Sequence, residues 1–308
     1  MSKKLLFNND VFDDSKYNHF VFDVKTQREG PVHYDGVIKL FAHTDEFGNG
    51  EVSYTDWGDG TVNSAISHQY STPGLYTVKT MLRVSPTYAD ESNLVTRLQL
   101  VDCLQLSSKI VNASYFFYGC ANLESFSNIH EWNTKHITNM SYMFGICTKL
   151  KSLNLSNFNT SNVTNMYGMF ERCEALTSLD LSSFNTSNTL SLGHMFRTCI
   201  SLQSVNLSSF NTSSNRDMSY MFDGCESIVS LDLSSFDTSN VRGMSYMFQN
   251  CRKLRYLDIS NWNTDAMVYT NSLDYVFTNC NSLSISNVKM TNCNSSTKST
   301  IRELINYK

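Results

Sequence analysis

The chain has 308 residues, 41% of them hydrophobic and 12% aromatic, with only 17% charged and a formal net charge of -4. That length allows about two domains with ample core, and an acidic balance excludes the electrostatic attraction to phosphate on which nucleic-acid binding depends. No apolar run reaches the ~18 residues that a membrane-spanning helix needs.

The first nineteen residues are polar, with Leu5, Phe7, Val11, Phe12 and Tyr17 interspersed. They read as an N-terminal arm (1–19) that requires a partner surface. Asn8, Asn9 and Asp10 close the short apolar run Leu5-Leu6-Phe7, which falls well below the h-region of a secretory signal. No signal peptide is expected.

Residues 20–103 change character. Segments 19–24, 37–42, 52–57, 76–84 and 94–101 read as short strands separated by turn signals, the pattern of a β-sandwich. Within them stand Asp56-Trp57-Gly58-Asp59-Gly60, then His68-Gln69-Tyr70, then Pro73-Gly74-Leu75-Tyr76-Thr77-Val78. This order resembles the PKD domain, with Trp57 where that family usually has Phe. The resemblance implies an immunoglobulin-like spacer or binding module without catalytic residues. His68 reads as a histidine tied to backbone near the turn rather than as a ligand.

From residue 104 to 290 the chain repeats. Cysteines at 120, 147, 173, 199, 225, 251 and 280 mark a period of 26 residues, stretched to 27 at the first interval and 29 at the last. Self-similarity at this length means stacked supersecondary units. After each cysteine comes L-x-x-L-x-L, as in Leu176, Leu179 and Leu181, which has the two-residue alternation of a strand with one buried side. An aromatic follows (Phe158, Phe184, Phe210, Phe236, Trp262), then Asn or Asp and Thr in a turn. Met166, Met169, Phe170 and Cys173 then fall at i, i+3, i+4 and i+7, which predicts a short helix. The fold class expected is an all-β immunoglobulin-like sandwich followed by a leucine-rich-repeat solenoid of about seven coils. Asn281–Cys293 loses the pattern, and Ile301, Leu304 and Ile305 predict a helical cap over 291–308.

The unit SLDLSSFDTSNVRGMSYMFQNC (Ser230–Cys251) closely resembles the BspA-like class of leucine-rich repeat, common in bacterial surface antigens and mycoplasma lipoproteins. The resemblance implies a curved solenoid, with a parallel sheet on the concave side and short helices on the convex side, that binds or adheres rather than catalyses.

The cysteines hold one place per coil, with no C-x-x-C or paired His, so free buried thiols are expected rather than bridges or a metal site. No cofactor is implied. Asn159, Asn185 and Asn211 match the glycosylation acceptor, yet repeat geometry alone explains their recurrence. Charge gathers at Glu171-Arg172, Arg197, Asp223, Glu226 and Arg252-Lys253, around the expected helix ends.

Outward strand positions carry the candidate binding residues: Ser152 and Asn154, Ser178 and Asp180, Ser204 and Asn206, Ser230 and Asp232, Tyr256 and Asp258. Beside them run columns of Asn159, Asn185, Asn211, Asp237 and Asn263 and of Thr160, Thr186, Thr212, Thr238 and Thr264. Such an array can hydrogen-bond a polymeric ligand such as a glycan, or its members can satisfy each other and the turn backbones. The reading is a non-enzymatic display and adhesion protein that contacts a cell-surface protein or glycan, joined to other surface or virion proteins through the arm. A bacteriophage virion component is the favoured carrier. A bacterial envelope adhesin, or a cytoplasmic or effector-like scaffold binding a host protein, are the alternatives.

Overall fold

The computed structural model describes the strands within residues 18–105 and residues 111–307 apart from 122, 127–128 and 268–270. Most of the arm, the turn Trp57–Thr61, the Pro73-Gly74 pair and the entry into the first coil at 106–110 lie outside the described residues.

In the N-terminal part, a five-stranded antiparallel sheet has the order β4 (Val62–Asn63), β3 (Val52–Asp56), β6 (Leu75–Leu82), β1 (Asn18–Lys25), β7 (Leu98–Gln105). A second sheet pairs β2 (Val37–Lys39) with β5 (Ser67–Gln69), where His68 stands opposite Ile38. These strands overlap the expected segments and add the short β4 and β5.

From residue 111 the chain winds into parallel coils. Strands β8 (Ser178–Asp180) and β9 (Ser204–Asn206) pair in register, Leu179 against Val205. Strands β10 (Ser230–Asp232), β11 (Tyr256–Asp258) and β12 (Val288–Lys289) form a second parallel set. Leu179 and Leu181 are buried and Asp180 between them is exposed, the alternation that a one-sided strand demands. Strand β12 lies inside the segment where the sequence pattern lapses, so the sheet outlasts its leucine signature by one strand.

The core is built of stacked columns. Phe158, Phe184, Phe210 and Phe236 lie nearly parallel at centroid spacings of 6.1–6.5 Å. Phe144, Phe170, Phe196, Phe222, Phe248 and Phe277 form a second column at 5.3–5.8 Å. Offset-stacked rings at such distances add to the stability gained by burying them.

The stretch that ends at each cysteine differs from the expectation of short helices. Residues 166–173 form consecutive turns: Met169, Glu171 and Cys173 donate their N–H groups to Met166, Gly168 and Phe170, three residues back. The amides between them, from Gly168, Phe170 and Arg172, donate instead to Gly193, Met195 and Arg197 of the next coil. A helix would spend every N–H within itself, whereas a turn run leaves alternate amides to bond coil to coil. Its cost is left-handed backbone at two places per coil: Tyr142 and Ile146, Tyr220 and Gly224, Tyr246 and Asn250 all have φ between 54° and 74°. For non-glycine residues that conformation costs roughly 1–2 kcal/mol each.

Two polar columns tie the coils further. Thr160 Oγ1 donates to the carbonyl of Asn185 at 3.0 Å and accepts the Asn185 N–H at 2.8 Å. Thr186 repeats this on Asn211, and Thr238 on Asn263. The threonine column is therefore buried between coils and satisfies the turn backbones, the second of the two roles open to it from the sequence. It ends where Thr264 meets Thr297 of helix α1 (Ser295–Asn306). Helix α1 is capped by the Asn294 side chain and packs Ile301 and Ile305 into the core.

Candidate functional site

Short parallel strands place the candidate residues at equivalent positions of successive coils, in register within the β8–β9 pair and within the β10–β11 pair. Ser178, Ser204, Ser230 and Tyr256 occupy one column and are all exposed. None of these serines spends its hydroxyl on a hydrogen bond among the described residues. Tyr256 ends the column, 43% exposed.

The neighbouring column is partly occupied by structure. Asn154, Asp180, Asn206 and Asp232 each use Oδ1 to accept the N–H two residues on, from Ser156, Ser182, Ser208 and Ser234. Asn206 also donates to Asp180 Oδ1 at 3.0 Å. The backbone bond to Ser182, with the Ser182 and Asn206 side chains, holds the Asp180 carboxyl below its ordinary pKa. Asp180 and Asp232 are both exposed. A shallow cleft of about 340 Å³ lies at the start of this face, lined by Leu153, Asn154, Ser156, Asp180 and Ser182 among others. Ser152 is exposed beside it.

Asp258 does not belong to the exposed set. It is 4% exposed, because β12 adds another strand beside it and Lys289 Nζ bonds its Oδ2 at 2.7 Å. Burial works to raise its pKa, but the bonds from Lys289 and Ser260 outweigh that and leave it lowered. The Asn column at the next turn is likewise structural: Asn159, Asn185 and Asn211 accept from Ser161, Ser187 and Ser213 two residues on.

The convex turns carry a feature the sequence reading passed over. Tyr115 stacks on Tyr142 at 4.9 Å, Tyr167 on His194 at 4.6 Å, Tyr220 on Tyr246 at 4.5 Å and Tyr246 on Tyr275 at 4.9 Å. The signal was available, since tyrosine recurs five residues before the cysteine at 115, 142, 220, 246 and 275. Because the rings stack on one another, they present edges rather than faces to solvent. At mid-ladder Arg197 bridges Glu171 at 3.3 Å and Asp223 at 3.2 Å and lies over the Tyr220 ring. Arg252, by contrast, makes a longer contact of 3.7 Å with Glu226 at the surface.

No group of three or more His, Cys, Asp or Glu able to hold a metal occurs among the described residues, and no described helix is long and apolar enough to cross a membrane. Residues 111–230 and 177–290 each match the model of a family described as "Mycoplasma protein of unknown function, DUF285". Together the matches take in more than half of the chain. The chain belongs to this family. Every candidate residue named above on the concave face of this DUF285 protein lies inside the matched segments. No curated protein matches the sequence. Among solved structures, a leucine rich cell surface protein from Faecalibacterium prausnitzii A2-165 is similar over 65% of this chain and 81% of that one, at 13% identity and a TM-score of 0.25. A likeness that weak supports neither a shared fold nor a shared function.

Proposed function

We propose that this DUF285 protein is a binding module displayed on a bacterial surface, which contacts a cell-surface glycan or protein through the concave strands rather than catalysing a reaction. The observation that carries the reading is the exposed pair Ser178 and Ser204, in register on the parallel strands β8 and β9, with Ser230 exposed at the equivalent place in β10. Hydroxyls repeated at the strand spacing of ~4.8 Å suit a polymer with its own short repeat. Weak contacts of this kind gain strength when many copies act together.

The carrier we favour is the bacterial envelope, not a virion, because the matched family is described as mycoplasma proteins. The N-terminal strands serve as an immunoglobulin-like, PKD-like spacer, and the arm attaches the protein to its neighbours.

The test is binding of the full chain to cultured epithelial cells, untreated, trypsin-shaved or periodate-oxidised. Binding to untreated cells, lost after one of the two treatments, supports the proposal and identifies protein or glycan as the ligand. Absence of binding to untreated cells contradicts it.

A further inference from the structure

Thr138, Thr164, Leu190, Arg216 and Arg242 occupy equivalent places in successive coils, on the flank between the strands and the turn run. Each donates its backbone N–H to the preceding member, beginning with Val111, at 2.7–2.9 Å. Thr138 and Thr164 double that bond with their hydroxyls, which reach the same carbonyls at 3.1 and 3.2 Å. The next coils give this up. Leu190 is exposed, and Arg216 and Arg242 stand side by side with no hydrogen bond or ion pair from either guanidinium among the described residues. The two guanidinium groups therefore add no side-chain bond to the fold.

A second departure sits beside the first. Asn162, Asn188 and Asn240 each send Nδ2 back to a carbonyl of the preceding coil, at 2.7, 2.7 and 2.8 Å. At the same place in the intervening coil stands Ser214, which has no amide to send. Ser214 lines a groove of about 660 Å³ together with Leu190, Arg216, Ser239, Asn240 and Arg242. No acidic residue lines it, although the chain as a whole carries a charge of -4.

We infer that this groove binds an acidic saccharide, one carboxylate or sulfate held between the Arg216 and Arg242 guanidinium groups. Planar forks of N–H donors match such oxyanions in pairs. The serine hydroxyls complement a sugar's hydroxyls, Leu190 complements its apolar face, and the volume falls within the ~300–1,000 Å³ of small-ligand sites. Two cations are too few to track a polyanion backbone, which argues for one charged sugar rather than nucleic acid. The site is separate from the concave serines, so either can fail without the other.

The full chain is titrated by calorimetry with 3′-sialyllactose and 6-sulfo-N-acetyllactosamine, with their neutral parents lactose and N-acetyllactosamine, and with sodium sulfate. At least one acidic sugar is expected to bind at least about tenfold tighter than its parent, as befits a charge-assisted contact. That binding disappears in R216A/R242A and weakens in S214N, which restores the missing amide, while R302A at the exposed Arg302 leaves it unchanged. Melting temperatures stay at wild-type value in the arginine variants, because no internal bond is removed. Equal affinity for acid and parent, or binding that survives R216A/R242A, overturns the site. Sulfate ion binding as tightly as both acidic sugars overturns the saccharide assignment.

Discussion

The Cys173 thiol donates a hydrogen bond to the Phe144 carbonyl of the preceding coil at 3.2 Å. That carbonyl already accepts the Cys147 N–H, and the same contact recurs from Cys147 to Phe117, Cys199 to Phe170, Cys225 to Phe196 and Cys251 to Phe222. Cysteine is therefore a small apolar residue with a donor that faces the neighbouring coil. Burial pushes these thiols up, Cys199 to about 12 and Cys173 well above the ordinary value.

The first prediction follows from that burial. Native protein should resist iodoacetamide at pH 8 at each described core cysteine and react fully once unfolded. Cys225→Ala should cost about 1–2 kcal/mol, from a small cavity and a lost bond. Rapid native labelling of Cys173 or Cys225, read by mass spectrometry, would mean that the coils open far more than their packing allows.

Thr186 tests the buried hydroxyl column. Thr186→Val keeps the shape but leaves the Asn211 N–H and carbonyl without their partner, at roughly 1–3 kcal/mol per buried group. Thr186→Ser keeps the hydroxyl and should cost much less. Equal losses in the two variants, measured by urea unfolding, would assign the effect to the methyl group instead.

Gly168 explains an irregularity in the aromatic ladder. In this coil the tyrosine stands one residue early, at Tyr167, and Gly168 takes the left-handed position at φ +60°. A Cβ on Gly168 would lie 2.5 Å from Cε1 of Tyr142. Gly168→Ala should therefore destabilise by more than the ~1 kcal/mol of the backbone alone. Adding Tyr142→Ala should recover part of that loss, and a strictly additive double variant would remove the steric account.

How far the sequence discloses these features depends on what sets them. Leu179, Asp180 and Leu181 declare the strand because alternation follows directly from the pleat. The turn run escaped, since Met166, Met169, Phe170 and Cys173 have the spacing of a helical stripe and successive turns bury the same set. The contrary sign was Gly119, Gly224, Asn250 and Asn279, each one residue before a cysteine, where a helix gains nothing from residues that tolerate positive φ. Asp258 was assigned to the surface, and Thr160 left open between a surface and a structural role, because a turn or strand pattern says only which way a side chain leaves the backbone. What then covers it, the next coil for Thr160 and Lys289 on β12 for Asp258, is decided by three-dimensional stacking.

The Asp258–Lys289 pair carries a pH dependence at the C-terminal end. Asp258 is lowered in the folded state, so its contribution is present above the ordinary carboxylate pKa of 3.8 and lost as pH falls through the folded value. Lys289 is raised, chiefly by its bond to Asp258, so its contribution is present below 10.5 and lost as pH rises through the folded value. Asp258→Asn should flatten both limbs of the stability profile relative to wild type. A variant whose acid and alkaline limbs match those of the parent would show that the pair contributes nothing.

The proposal that the concave strands bind a cell surface is tested most directly at Ser204. Tyrosine already occupies the equivalent place in β11, at Tyr256, and favours strands, so Ser204→Tyr should fold with an unchanged melting temperature while filling the middle of the serine column. Binding of this variant and of wild type to untreated epithelial cells is compared by flow cytometry. The account predicts at least about tenfold weaker binding, as a blocked central contact should give. Undiminished binding by a correctly folded Ser204→Tyr protein would contradict it.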